Sequence, residues 1–155
     1  MKKIAYSLTI LLVAVLLVTG CNGGSKKISC KLKSTPAGSN YSLEAEYNIY
    51  ADGDTVSKVE TTEIVESEDD DTLEYFEDLL KDQYDAYNEK YGGYDFKVTN
   101  KDGKVTSKVT IDYSKMNLSK FVEDNTAMKS YVDDDNKLKF KGIQSLYETM
   151  GAECK

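Results

Sequence analysis

From Tyr41 the chain alternates for eleven residues, with Tyr41, Leu43, Ala45, Tyr47, Ile49 and Ala51 set against Ser42, Glu44, Glu46 and Asn48. A period of two puts each set on its own face of a half-buried strand. Asp52-Gly53-Asp54 turns the chain back, and Val56 to Val65 reads as the hairpin partner. Its pattern slips between Val56 and Val59, which predicts a bulge. Ile28 to Thr35 reads as an earlier strand, closed by the turn cluster Pro36 to Asn40. A second hairpin is expected from Tyr94, Phe96 and Val98, through Asn100-Lys101-Asp102-Gly103, back along Val105, Ser107, Val109, Ile111 and Tyr113.

Between the hairpins the period changes. Leu73, Phe76, Leu80, Tyr84, Tyr87 and Tyr91 are spaced by threes and fours, the apolar stripe of an amphipathic helix of about 20 residues. Asp71 or Thr72 can cap its start, and Gly92-Gly93 stops it. Ser114 to Val122 reads as a short, partly helical stretch, Glu123 to Asn136 as a polar loop, and Leu138 with Phe140 as a short strand. Ile143, Leu146, Tyr147 and Met150 form a second helical stripe, closed by Gly151. The expected fold class is α+β: an antiparallel sheet from two hairpins plus terminal strands, packed against two main helices.

The N-terminus has a different character. Lys2 and Lys3 precede a mostly apolar run, Ile4 to Val18, whose ~15 residues suit a secretion signal and fall short of the ~20 that span a bilayer. Val18-Thr19-Gly20-Cys21 resembles the bacterial lipobox. The small residues let the backbone enter the peptidase cleft, and the Cys21 thiol accepts diacylglycerol. An uncleaved anchor helix is the competing reading. The expected organisation is a signal peptide at 1–20, a flexible tether at 21–27 and one extracytoplasmic α+β domain at 28–155. Two or three acyl chains, palmitate-like, hold a protein to a membrane firmly.

Cys30 and Cys154 remain, at opposite ends of the exported domain. An even pair in an oxidising compartment reads as a disulfide, which would make the first and last strands neighbours. Two free buried thiols are the alternative. A redox pair is disfavoured because there is no C-x-x-C.

Charge and missing residues narrow the chemistry. The 155 residues carry 20 Lys and no Arg, 27 acids and no His. Loss of residues 1–20 leaves 18 lysines and a net charge of −9. That balance argues against nucleic-acid partners, and it makes the lipid, rather than a basic patch, the link to the membrane. Without His or Arg there is no imidazole acid–base pair and no guanidinium clamp on carboxylate or phosphate. No metal or other cofactor is expected. The acidic runs Glu68 to Asp71 and Asp133 to Asn136 invite a calcium reading. An EF-type loop from Asp133 fails, however, with Leu138 where Gly is needed and Gln144 where Glu is needed. Asp78, Asp82 and Asp85 share a helix face, as carboxylates on solvated helices often do. No pocket to raise their pKa is implied, so catalysis is not expected. The 12 tyrosines are numerous for a chain without Trp. Tyr41, Tyr47, Tyr84, Tyr87, Tyr91 and Tyr113 fall on core faces. Tyr50, Tyr75, Tyr94 and Tyr131 could line an amphipathic groove.

With these elements placed, the chain resembles the YehR-type small lipoproteins from the lipobox to the C-terminus. The local matches are Val109-Thr110-Ile111-Asp112-Tyr113-Ser114-Lys115 with Leu118, the stretch from Lys141-Gly142-Ile143 to Gly151 with Lys155, and, in tenor, Lys58 to Glu66. The resemblance implies an α+β fold and an envelope location, and it supplies no active-site residues. The expected role is a lipid-anchored, non-catalytic binding or accessory protein on the extracytoplasmic face of the cell membrane. A structural or protein-interaction lipoprotein without a small-ligand pocket is the alternative. A pocket with convergent polar groups would favour the first, an exposed Tyr-rich patch the second, and a buried carboxylate of raised pKa an enzyme.

Overall fold

The computed structural model describes residues 24–155. Cys21 and residues 1–20, read above as a signal peptide, lie outside them. Six strands, β1 (Ser25–Ser34), β2 (Tyr41–Asp52), β3 (Thr55–Ser67), β4 (Tyr94–Lys101), β5 (Lys104–Asp112) and β6 (Glu153–Cys154), form one antiparallel sheet in the order β4-β5-β3-β2-β1-β6. The helices are α1 (Asp70–Tyr91), α2 (Leu118–Asp124) and α3 (Phe140–Thr149), with a 3-10 turn at Thr126–Tyr131. The molecule is therefore α+β, as its pattern predicts.

All the helices lie on one side. Helix α1 packs on β3, β4 and β5, and α3 packs on β1, β2 and β3. Strand alternation decides which residues meet them. On β3 the odd positions Val59, Thr61 and Val65 are buried, while Lys58, Glu60 and Glu66 point to the open face. The register is pinned where the slipping pattern indicates. Tyr50 pairs with Lys58 and Ala51 with Val56, so Ser57 bulges out. The second hairpin closes on a two-residue turn, Asp102-Gly103, both with positive φ, the backbone that matches strand twist.

Several boundaries differ from the pattern. Strand β1 begins at Ser25, inside the stretch read as tether, because Lys26 and Lys27 pair with Ala51 and Tyr50. The α1 cap is Asp69, neither Asp71 nor Thr72. Its carboxylate accepts the Thr72 backbone N–H at 3.1 Å, and Asn40 donates to it from across the turn. Leu138 and Lys139 make only isolated bridges, to Val132 and Thr55, and Phe140 opens α3.

The chain ends meet at β1. Ser29 and Lys155 exchange two backbone hydrogen bonds, at 3.0 and 2.8 Å. Cys30 and Cys154 occupy the next, non-hydrogen-bonded pair, where facing side chains stand closest. Their sulfurs are joined, closing a loop of 124 residues.

Two stability outcomes follow from this geometry. Reducing the bridge, or Cys154→Ser, is expected to cost roughly 4–5 kcal/mol. That is a fall of on the order of 10–15 °C in the thermal midpoint, and an unchanged midpoint with and without reductant would refute it. Gly93 has φ +83°, and a Cβ there would stand 2.6 Å from the Asp112 carbonyl oxygen. Gly93→Ala is expected to cost about 1–3 kcal/mol in urea unfolding.

Candidate functional site

The acidic runs are spent on local structure. Asp69 caps α1. Asp133 Oδ1 accepts the backbone N–H groups of Asp135 and Lys137 at 3.0 and 2.8 Å, closing its own turn. Among the described residues no group of three or more Asp, Glu or Cys side chains converges as a metal site. Asp78, Asp82 and Asp85 are exposed on the outer side of α1.

The tyrosines divide. Tyr47, Tyr84 and Tyr91 are buried, and Tyr41, Tyr87 and Tyr113 are half-buried. Tyr94 packs against Tyr84 and Tyr87, and Tyr131 joins the core under α3. Tyr50 lies on the open face, donating to Glu60 at 2.7 Å. Tyr75 is 62% exposed, one helical turn from Leu79 at 41%. Surface clefts of about 480 and 330 Å³ meet at Asn40 and Tyr41, and the smaller one reaches Tyr75. Both are open furrows of mixed lining.

The strongest chemistry lies between the helices. Two apolar clusters occupy the covered face. One, under α1, is centred on Val65, Leu73 and Val105, and the other, under α3, on Ile49, Val59 and Ile143. Between them the register sets Leu32, Ala45, Glu63 and Ser107 side by side on β1, β2, β3 and β5. Leu32, Ala45 and Glu63 are half-buried and Ser107 is fully buried.

Glu63 is thus an acid at a core position of the central strand. Tyr84 donates its hydroxyl to Glu63 Oε2 at 2.6 Å. Ser107 stands directly opposite, fully buried, and its Oγ has no hydrogen-bond partner. Burial pushes the Glu63 carboxyl above the ordinary range, against weaker downward pulls from Tyr84 and Ser107. Tyr47 and Tyr147 stack at 4.2 Å beside it. Burial and then the Glu63 charge push the Tyr47 hydroxyl up to about 12. The Tyr147 hydroxyl rises chiefly by burial, then from the neighbouring Tyr47 and Glu63. No lysine contributes to the Glu63 titration.

Sequence reasoning passed over Glu63 because acids at strand positions ordinarily face water. The available signal was parity, since Glu63 falls on the same face as Val59, Thr61 and Val65.

Folded Glu63 binds a proton more readily than unfolded Glu63. Its contribution to stability is therefore fully present below the ordinary glutamate pKa and is lost as pH rises through the raised one. Glu63→Gln is expected to be more stable than the parent at pH 7, with the gap closing as pH falls toward about 4.5. Thermal midpoints of the two proteins across this range measure it, and a gap independent of pH would overturn it.

No known family profile matches the chain, and no curated protein matches it. Among solved structures, the NMR structure of the E. coli YehR protein is similar with a TM-score of 0.56 at 17% identity, over 84% of this chain and 92% of that one. An NMR structure of a protein from Streptococcus pneumoniae TIGR4 gives a TM-score of 0.54 at 10% identity, over 100% of this chain and 99% of that one. At these identities the likeness establishes architecture, and the fold of this chain is YehR-like.

Proposed function

We propose that the chain is a lipid-anchored extracytoplasmic lipoprotein of the YehR type with a non-catalytic binding or accessory role in the cell envelope. The anchoring half of this reading rests on Val18-Thr19-Gly20-Cys21. The binding half rests on one observation, a half-buried acid, Glu63, that takes the Tyr84 hydroxyl's hydrogen bond on an otherwise apolar face. The carboxyl of raised pKa that an enzyme would need is present in Glu63.

A second reading, docking of a partner protein, is favoured by Tyr75 and Leu79. They form an exposed apolar strip on α1 beside the cleft at Asn40 and Tyr41.

Growth with a labelled fatty acid tests the anchor. The parent protein is expected to take up label and fractionate with membranes, and Cys21→Ala to do neither. Label persisting in Cys21→Ala would sink it. A thermal-shift panel of metals, amino acids, sugars and short peptides on the full chain in detergent tests binding. A midpoint rise that Tyr147→Ala removes is the expected result, and a flat panel favours the docking reading.

A further inference from the structure

The β4–β5 hairpin breaks the charge pattern of the open face. There it sets Lys97 opposite Lys108, Thr99 opposite Thr106 and Lys101 opposite Lys104. Like charges directly opposite one another repel, yet two lysine rungs flank one threonine rung in a chain with 27 acids and 20 lysines. The rung at the turn is neutralised, since Lys104 pairs with Glu66 and Lys101 with Asp102. The inner rung is not. Elsewhere on this face Lys31, Lys33 and Lys58 each meet a glutamate, and Lys27 lies over the Tyr50 ring. Lys97 and Lys108 have no ion pair with any described acid, and residues 1–23 contain no acid that could supply one.

A surface cleft of about 240 Å³ opens at this inner rung, lined by Lys97, Thr99, Thr106 and Lys108 with no acid among them. A second cleft, of about 380 Å³, runs from the same two lysines toward Asp95 and Glu60. Glu60 is already held by Lys58 and the Tyr50 hydroxyl. Asp112 donates its backbone N–H to the Gly93 carbonyl. By alternation Lys97 and Lys108 form a hydrogen-bonded pair, with Cα atoms about 5.5 Å apart. The threonine rung lies about 7 Å further along. Thr99 donates its hydroxyl to the Thr106 carbonyl at 3.4 Å, and the Thr106 hydroxyl has no hydrogen bond to a described residue.

This set selects among ligand classes. A cation would meet two like charges. A neutral sugar would leave both charges unanswered and find no aromatic ring in the lining. A carboxylate is planar, carries one charge and is best matched by the guanidinium fork, which this chain lacks. A phosphate group carries up to two negative charges on oxygens that point several ways. Two lysines match it as point charges, and the Thr106 hydroxyl has a proton to donate. Asp95, on the far side of the lysines, repels an anion toward the threonines.

We propose that the cleft at the Lys97–Lys108 rung is a binding site for a phosphate group. Lys97 and Lys108 supply the charge, and Thr106 donates a hydrogen bond to a phosphate oxygen. The site lies on the open face, opposite to Glu63, and goes beyond the role proposed above without depending on it.

The test is lysine footprinting of the full chain in detergent micelles, at pH 7 and constant ionic strength. Acetylation by an N-hydroxysuccinimide ester is read at each lysine by mass spectrometry, with the exposed Lys120 and Lys129 as internal references. The probes are sodium phosphate, long-chain polyphosphate, micelles doped with phosphatidylglycerol, sodium acetate and sodium chloride. Sodium phosphate is expected to slow acetylation of Lys97 and Lys108 saturably, with a Kd tighter than about 10 mM, and to leave Lys120 and Lys129 unchanged. Lys97→Gln removes a repulsion and is expected to fold; it should weaken phosphate protection of Lys108 at least about fivefold. Asp95→Asn should tighten it. Stronger protection by polyphosphate than by phosphate supports the site and assigns it to a phosphate polymer. Stronger protection by phosphatidylglycerol supports it and assigns it to a lipid headgroup. Equal protection by acetate or chloride would overturn the proposal, as would equal slowing at Lys120 and Lys129. Undiminished protection of Lys108 in Lys97→Gln, or none by any phosphate probe, would also overturn it.

Discussion

A one-residue slip of β3 against β2 would turn every side chain of the central strand to the opposite face. The molecule depends on that register. β3 is the strand of the first hairpin that pairs with the second, lying between β2 and β5, so its alternation decides which of their residues face the helices. In the observed register Val59 and Val65 each anchor one apolar cluster. The Ser57 bulge takes up the extra residue near the hairpin end and leaves the rest of the ladder regular. The same register that builds two cores also brings Glu63 between them, opposite Ser107 and within reach of Tyr84. The acid is therefore part of the framework, and the fold tolerates it because hydroxyls surround it and part of it remains in water.

The other face of the sheet shows what the strands do without helices. Lys31 with Glu46, Lys33 with Glu44 and Lys104 with Glu66 form cross-strand ion pairs on an uncovered surface. Each contributes little to stability in water. Their effect is to make the bare face and its edges poor templates for another strand, which a flat apolar sheet would not be. Among the described residues charge is thus distributed by role, with cross-strand ion pairs on the open face and Glu63 without an ion pair on the covered face.

Much of this architecture was legible in the sequence because alternation and helical spacing report burial directly. Tyr41 to Ala51, the stripe from Leu73 to Tyr91 and the slip at Val56–Val59 all correspond to observed elements. The disulfide was legible because Cys30 and Cys154 are the two cysteines of the described residues and stand near their opposite ends. Other features depended on contacts between distant segments. Asp69 takes the cap from its acidic neighbours because Asn40, 29 residues earlier, completes the turn. Phe140 enters a helix because Leu138 and Lys139 are held only by isolated bridges. The site was the least legible part, since nothing local to Glu63 tells that Ser107 and Tyr84 will close around it.

The Cys30–Cys154 bond joins residues near both ends of the domain, and β1 and β6 hold its two sides in register. Nearly the whole described chain is thereby a covalent ring. A protease that cuts once in any loop between them, the exposed Asp133 to Lys137 turn for example, opens the ring but releases no fragment. The nicked domain still carries all its strands on one connected molecule. Wherever a peptidase meets the protein, that connectivity separates a nick from the loss of half a fold.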